Sequence, residues 1–262
     1  MSLDGFETFL FTHDGVTRTV YRRGHGPAVV VMHEIPGITP QVAEFARRVA
    51  EAGFTVYLPH LFGVPGKPIS NGYLLGQMAR ACISREFSVL AKRETSPITD
   101  WLRALCRAAH HACGGPGVGA VGMCLTGNFA IALMVDDSVM APVLSQPSLP
   151  FGISAAHRAA LHVSDEALAV AKQRAAAGCG VLGLRFTGDP MCPAERFATL
   201  RREFGANFEG IEIDSSPGNP HGIKRMAHSV LTTDLVDTEG HPTRAALERV
   251  LGFFRQRLMA DR

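Results

Sequence analysis

The stretch GVGAVGMCLTG, residues 117–127, places one cysteine, Cys124, among glycines and admits two chemistries. Taken from Gly117 it spells G-x-G-x-x-G, the pattern of a dinucleotide-binding loop; taken from Gly122 it presents a thiol on a tight turn. A dinucleotide loop needs the order strand, glycines, helix, because the pyrophosphate rests on the amides of the helix that the glycines open. Here TDWLRALCRAAHHAC, ahead of the glycines, has helical spacing, residues 119–123 form the strand, and a helix is expected from residue 125. Phosphate binding is therefore the poorer reading. A nucleophile at a strand-to-helix turn is forced out above the sheet, and small residues two places before and after it let strand and helix pass closely. Gly122 fills the first place, while Thr126 occupies the second and Gly127 comes one residue late. A free thiol is only slightly ionised at neutral pH, with a reference pKa of ~8.5, and amides at a helix start favour the thiolate. The competing reading of Cys124 is a small buried hydrophobe.

Three other segments carry possible partners. Asp189 in GDPMCP follows a strand ending near Thr187, though an aspartate between Gly and Pro is also ordinary turn chemistry. His221 in NPHG and His228 in MAHSV lie in a long segment after a later strand, and spacing alone does not choose between them. HEIPG, residues 33–37, follows an early strand, where the amide of Ile35 could join that of Leu125 in an oxyanion hole. Loss of one such donor typically costs roughly 3 to 4 kcal/mol of transition-state stabilisation. Glu34 could accept the thiol proton, although its charge would oppose thiolate formation. A metal site built from His33, Glu34 and His60 is disfavoured, because neighbours on an extended strand point to opposite sides, and no metal or other cofactor is expected.

The elements that must position these residues alternate. FETFLFT, a turn at Asp14-Gly15 and VTRTVYRR read as an antiparallel hairpin. PAVVVMHE reads as a strand covered on both faces, and Thr39 with Pro40 starts a helix ending at Gly53 before the strand TVYLPH. Helices near 97–113, after 125, 165–177, 194–204 and from Pro242 to Leu258 then alternate with strands at VGAVGM, VMAPVLS, VLGLRFTG and FEGIEID. The pattern predicts a doubly wound, mostly parallel sheet, with residues 61–75 as a long surface loop. Without an internal repeat or linker, all 262 residues are read as one α/β domain. A hydrophobic fraction of 46% and a charged fraction of 19% exclude a disordered chain. A net charge of +2 with scattered basic residues argues against a nucleic-acid surface. No apolar run reaches membrane-spanning length, and Asp4, Glu7 and Asp14 break up the start, so a cytoplasmic protein with reduced cysteines is expected.

With HEIPG, GMCLTG, GDPMCP and AHSV in this order, nearly the whole chain resembles the dienelactone hydrolase family of α/β-hydrolases. The resemblance implies an α/β-hydrolase fold and a triad of Cys124, Asp189 and His228, with Glu34 hydrogen-bonded to the thiol. It favours His228 over His221, since the family's histidine is commonly followed by Ser and an apolar residue, as in His228-Ser229-Val230. It implies a cofactor-independent hydrolase of small-molecule carboxylic esters or lactones, working through an acyl-enzyme. Family members that open dienelactones carry an arginine four residues after the histidine to hold the substrate carboxylate, and Thr232 stands there in this chain. Arg80, Arg85 and Arg225 are the candidates to replace it. The departures at Thr126 and Thr232 motivate an alternative: a catalytically silent member of the fold acting in ligand binding or thiol redox sensing. Oligomeric state is left open.

Overall fold

The computed structural model describes residues 3–83 and 97–259, apart from the side chains of residues 80–83. The described strands form one eight-stranded sheet in the order β1-β2-β4-β3-β5-β6-β7-β8. β1 (Glu7–His13) and β2 (Val16–Gly24) are the expected hairpin. Its turn residues Asp14 and Gly15 both have positive φ, 46° and 74°, the conformation that matches the twist of two paired strands. β2 pairs antiparallel with β4 (Thr55–Pro59), and every later pairing is parallel.

The inner strands β3 (Ala28–Met32), β4, β5 (Val118–Met123) and β7 (Val181–Phe186) are buried at every residue, as their unbroken apolar runs require. Alternate residues serve two layers. Val29 and Val31 pack in one apolar cluster with α1 (Pro40–Glu51) and α8 (Pro242–Leu258), through Val42, Phe45, Val49, Val250 and Phe254. Val30 and Met32 face the opposite cluster, with Ile98, Trp101, Leu102 and Leu105 of α3 (Pro97–Cys113). α1 starts where Thr39 Oγ1 accepts from the Val42 amide at 3.2 Å and ends before Gly53, whose φ is 95°.

Three local features differ from the sequence reading. Residues 61–75 are not all loop, because α2 (Asn71–Ile83) begins inside them. Gly72 and Gly76 mask its helical character, while Leu74 and Met78, four apart, pack on the core. A five-residue helix α5 (Ala155–Ala159), capped by Ser154, lies after β6 (Val139–Ser145). The helix expected from residue 125 is a single 3-10 turn, Cys124–Thr126, followed by the short, fully buried α4 (Phe129–Leu133). α6 (Asp165–Ala176), α7 (Ala194–Phe204) and β8 (Phe208–Ile213) lie where the periodicity placed them. No helix among the described residues is long and apolar enough to cross a membrane.

Candidate active site

Parallel strands bring their C-terminal ends to one edge of the sheet, and all the chemistry lies there. Met32 of β3 pairs beside Gly122 of β5, and Met123 beside Ser145 of β6, so the segments leaving these strands start nearly level. Cys124 leaves β5 with φ +54°, a left-handed conformation costing a non-glycine residue about 1–2 kcal/mol. Its carbonyl holds the bend by accepting from the Gly127 and Ser148 amides, each at 3.0 Å. The bend is tight enough that a Cβ on Gly122 would lie 2.1 Å from the Thr126 carbonyl oxygen. A Cβ on Gly127 would lie 2.5 Å from Pro147 Cα, so the second close approach falls at Gly127.

Thr126 is therefore no flaw in the turn. It is fully buried, its hydroxyl accepts from the Met123 amide at 3.0 Å, and its proton faces the carbonyls of Met32 at 3.0 Å and His33 at 3.3 Å. It ties the ends of β3 and β5 together at the bend. The amides of Ile35 and Leu125 have no backbone or side-chain acceptor among the described residues.

Asp189, on the segment after β7, and His228, on the long segment after β8, meet through a 2.7 Å bond from Nδ1 to Oδ2. The other oxygen of Asp189 accepts from the Met191 amide at 2.9 Å, which sets the carboxylate plane. Cys124 lies near enough to His228 to act on its charge. Burial works to discharge this imidazole, but the nearby Cys124 sulfur and the Asp189 bond outweigh it and hold His228 well above the usual histidine range. The arrangement favours a charged imidazolium, with Asp189 behind it. His221 lies elsewhere: it is exposed and packs edge-to-face on His241, with ring centroids 5.4 Å apart.

Glu34 is buried at the same edge, with different partners from those expected. One oxygen accepts from Gln146 Nε2 at 3.0 Å and Ser229 Oγ at 2.8 Å, and the other accepts from the Thr232 hydroxyl. None of its bonds to described residues goes to the thiol. Burial pushes its pKa up, while the three donors and the nearby His228 charge pull it back. Thr232, at the place of the family's arginine, is thus a buried support for Glu34. Arg225 is exposed with its carbonyl against Gly188, and the side chains of Arg80 and Arg85 lie outside the described residues.

His33 is fully buried and desolvation lowers its pKa to about 3. Neutral, it donates from Nδ1 to the Glu34 carbonyl at 3.2 Å and accepts the Leu61 amide at Nε2 at 3.0 Å, so both nitrogens brace loops. His60 Nε2 faces the Gly63 carbonyl at 3.0 Å. His33, Glu34 and His60 do not converge, and no group of three or more potential metal ligands exists among the described residues.

Several residues of the site carry no sequence signal. Asp234 accepts the amides of His228 at 2.8 Å and Ser229 at 2.9 Å, fixing the histidine's backbone. Gln146, with φ +35°, and Ser148 come from the segment after β6. Arg196 of α7 is fully buried and donates to the carbonyls of Pro147 and Pro150, both at 2.6 Å, and of Ala160 at 2.9 Å.

Known proteins share the fold that carries these residues. No curated protein matches the chain in sequence. Among solved structures, a Klebsiella pneumoniae protein assigned as a dienelactone hydrolase is similar at 18% identity and TM-score 0.63, over 96% of this chain and 98% of that one. A dienelactone hydrolase-like promiscuous phosphotriesterase from metagenomic libraries is similar at 16% identity and TM-score 0.58, over 97% and 98%. Est1E from Butyrivibrio proteoclasticus is similar at 11% identity and TM-score 0.58, over 95% and 98%. These likenesses carry the α/β-hydrolase fold. The model of the dienelactone hydrolase family matches residues 14–258, nearly the whole chain, and the protein belongs to that family of hydrolases.

Proposed function

We propose that the protein is a cysteine hydrolase of small carboxylic esters or lactones, acting through an acyl-enzyme on Cys124. The observation that carries this reading is the meeting of the Cys124 turn, at φ +54°, with the Asp189–His228 pair.

In the reaction, the Cys124 thiolate attacks the substrate carbonyl, and the negative charge gathering on its oxygen is met by the amides of Ile35 and Leu125. Collapse expels the alkoxide, which takes the Nε2 proton of His228. Neutral His228 then removes a proton from water as the water attacks the thioester, and keeps that proton as the thiolate departs with release of the acid, which restores the starting pair. Asp189 keeps the ring oriented with Nδ1–H toward its carboxylate in both half-reactions. Glu34 anchors the residue after His228 by accepting from Ser229 Oγ at 2.8 Å.

The substrate class follows from Thr232, whose hydroxyl is engaged with Glu34 and offers no positive charge to a substrate carboxylate. Neutral esters are therefore favoured over carboxylate-bearing dienelactones. A cytoplasmic location completes the reading, supported by the five described cysteines all being free thiols. The test compares the parent and Cys124→Ala on nitrophenyl acetate and on a panel of neutral and carboxylate-bearing lactones. Loss of turnover in the variant with preference for neutral substrates is expected. Unchanged turnover in Cys124→Ala would exclude the thiol mechanism, and a marked preference for carboxylate-bearing lactones would exclude the role given to Thr232.

A further inference from the structure

A hydroxyl group stands within reach of His228 Nε2. Ser148 Oγ lies 3.4 Å from it, on a fully buried side chain. The same hydroxyl is 2.9 Å from the Gln146 carbonyl, to which it donates. A hydroxyl has one proton, and with that proton directed at a carbonyl it can offer only lone pairs to the ring. Nδ1–H is directed at the Asp189 carboxylate, 2.7 Å away. Acceptors therefore stand at both ring nitrogens, an arrangement that suits the doubly protonated imidazolium and suits neutral imidazole poorly.

The position of Ser148 is over-determined. Its amide donates to the Cys124 carbonyl at 3.0 Å, so the residue is fastened to the bend that carries the thiol. Pro147 before it fills the space left by the absent Gly127 side chain. The carbonyl of Pro147 is held by Arg196 at 2.6 Å, and that of Leu149 by Asn128 Nδ2 at 2.5 Å. Through Gln146 the same short segment also reaches Glu34. One rigid stretch after β6 thus touches the thiol's backbone, the imidazole and the buried carboxylate.

We propose that Ser148 is a positioning residue for His228, whose hydroxyl accepts from Nε2–H, fixes the ring plane and widens the pH range over which the thiolate–imidazolium pair persists. This rests on the thiol-hydrolase reading above for its consequence in turnover, but the effect on the ring does not need turnover. The other charged or titratable groups facing His228 are Cys124 from the bend after β5, Asp189 from the segment after β7, Glu34 from the segment after β3, and Asp234 on its own segment. All four remain when Ser148 is changed, so a shift on removing the hydroxyl belongs to the hydroxyl.

The sign follows from which state loses a partner. Without the Ser148 lone pairs the imidazolium is less stable, so His228 gives up its proton at lower pH; the thiolate in turn loses part of its counter-charge and forms at higher pH. The bell-shaped profile of kcat/KM narrows from both sides. Ser148→Ala is expected to move each limb inward by about half a pH unit, since a long bond to a charged group contributes only part of a full unit. Ser148→Thr, which keeps the hydroxyl, is expected to return the limbs toward the parent values.

The His228 ring is titrated in parallel by NMR in the parent and in Ser148→Ala, with circular dichroism to establish that the variant is folded. A lowered ring pKa in Ser148→Ala, with a narrowed bell, supports the proposal. A ring titration and limbs that superimpose on the parent's overturn it, whatever happens to kcat. If Cys124→Ala retains turnover the mechanism fails, yet the ring titration still decides the role of Ser148.

Discussion

Replacing Asp189 with asparagine is the sharpest test of the site. The change is isosteric, and the geometry dictates how the new amide sits. The Met191 amide, 2.9 Å from Oδ1, demands an acceptor there, so the NH2 of the introduced side chain is turned toward His228 Nδ1. Two donors then face each other unless Nδ1 surrenders its proton, which leaves the ring in the wrong tautomer with its remaining proton on Nε2. A charge-assisted bond of 2.7 Å between a part-buried imidazole and a buried carboxylate is replaced by a mismatch. A triad whose histidine is held in the wrong tautomer loses roughly 10⁴-fold in rate, about 5 kcal/mol of the barrier. The pH dependence has a definite sign as well. Burial lowers the His228 pKa, while Cys124 and Asp189 raise it above the ordinary value. Removing the Asp189 charge lets burial count for more, so the alkaline limb of kcat/KM moves down and the acid limb moves up. The assay is ester turnover of Asp189→Asn across pH, with thermal unfolding to establish that the variant is folded. A loss of less than ten-fold with unmoved limbs would refute the assignment of Asp189 as the orienting acid.

Two further predictions concern the scaffold. Gly122→Ala places a methyl 2.1 Å from the Thr126 carbonyl oxygen, so the bend must shift, and a loss of about 2 to 3 kcal/mol is expected. That is roughly 5–10 °C in Tm, with turnover reduced besides. Gly252→Ala, whose new methyl would meet nothing nearer than 3.9 Å, serves as the tolerated control, and equal effects at the two positions would contradict the tight-bend argument. His33, held neutral with a pKa of about 3 against 6.5 when unfolded, contributes stability that is present above pH 6.5 and is lost as pH falls toward 3. Between pH 6 and pH 4 this amounts to roughly 2.5 kcal/mol, measured by urea unfolding, and His33→Gln should remove that part of the acid slope. An unchanged slope would show that His33 is not buried neutral.

Much of the scaffold is legible in the sequence because its signals are local. Alternating apolar strands and amphipathic helices, Asp14-Gly15, Thr39-Pro40 and Gly53 determine the order of elements within a few neighbouring residues, and that order requires a parallel sheet with its loops at one edge. α2 escapes such a reading because Gly72 and Gly76 imitate a loop and its contacts lie on the core through Leu74 and Met78. The candidate residues Cys124, Asp189, His228 and Glu34 are also visible, as chemically unusual side chains in short motifs at strand ends.

Which of these residues touch was decided by tertiary structure. Spacing along the chain does not separate His221 from His228; the path of the segment after β8, anchored by Asp234, puts one ring on Asp189 and the other on His241. Glu34 takes its donors from 112, 195 and 198 residues away, and nothing near it in the chain announces Gln146, Ser229 or Thr232. The left-handed φ of Cys124 and the tolerance of Thr126 likewise arise from how β3 and β5 end side by side. Periodicity and turn chemistry act between neighbours, so the sequence by itself carries the elements and their order. Hydrogen-bond partners, protonation and backbone strain depend on groups brought together from distant segments, and only the packed sheet brings them together.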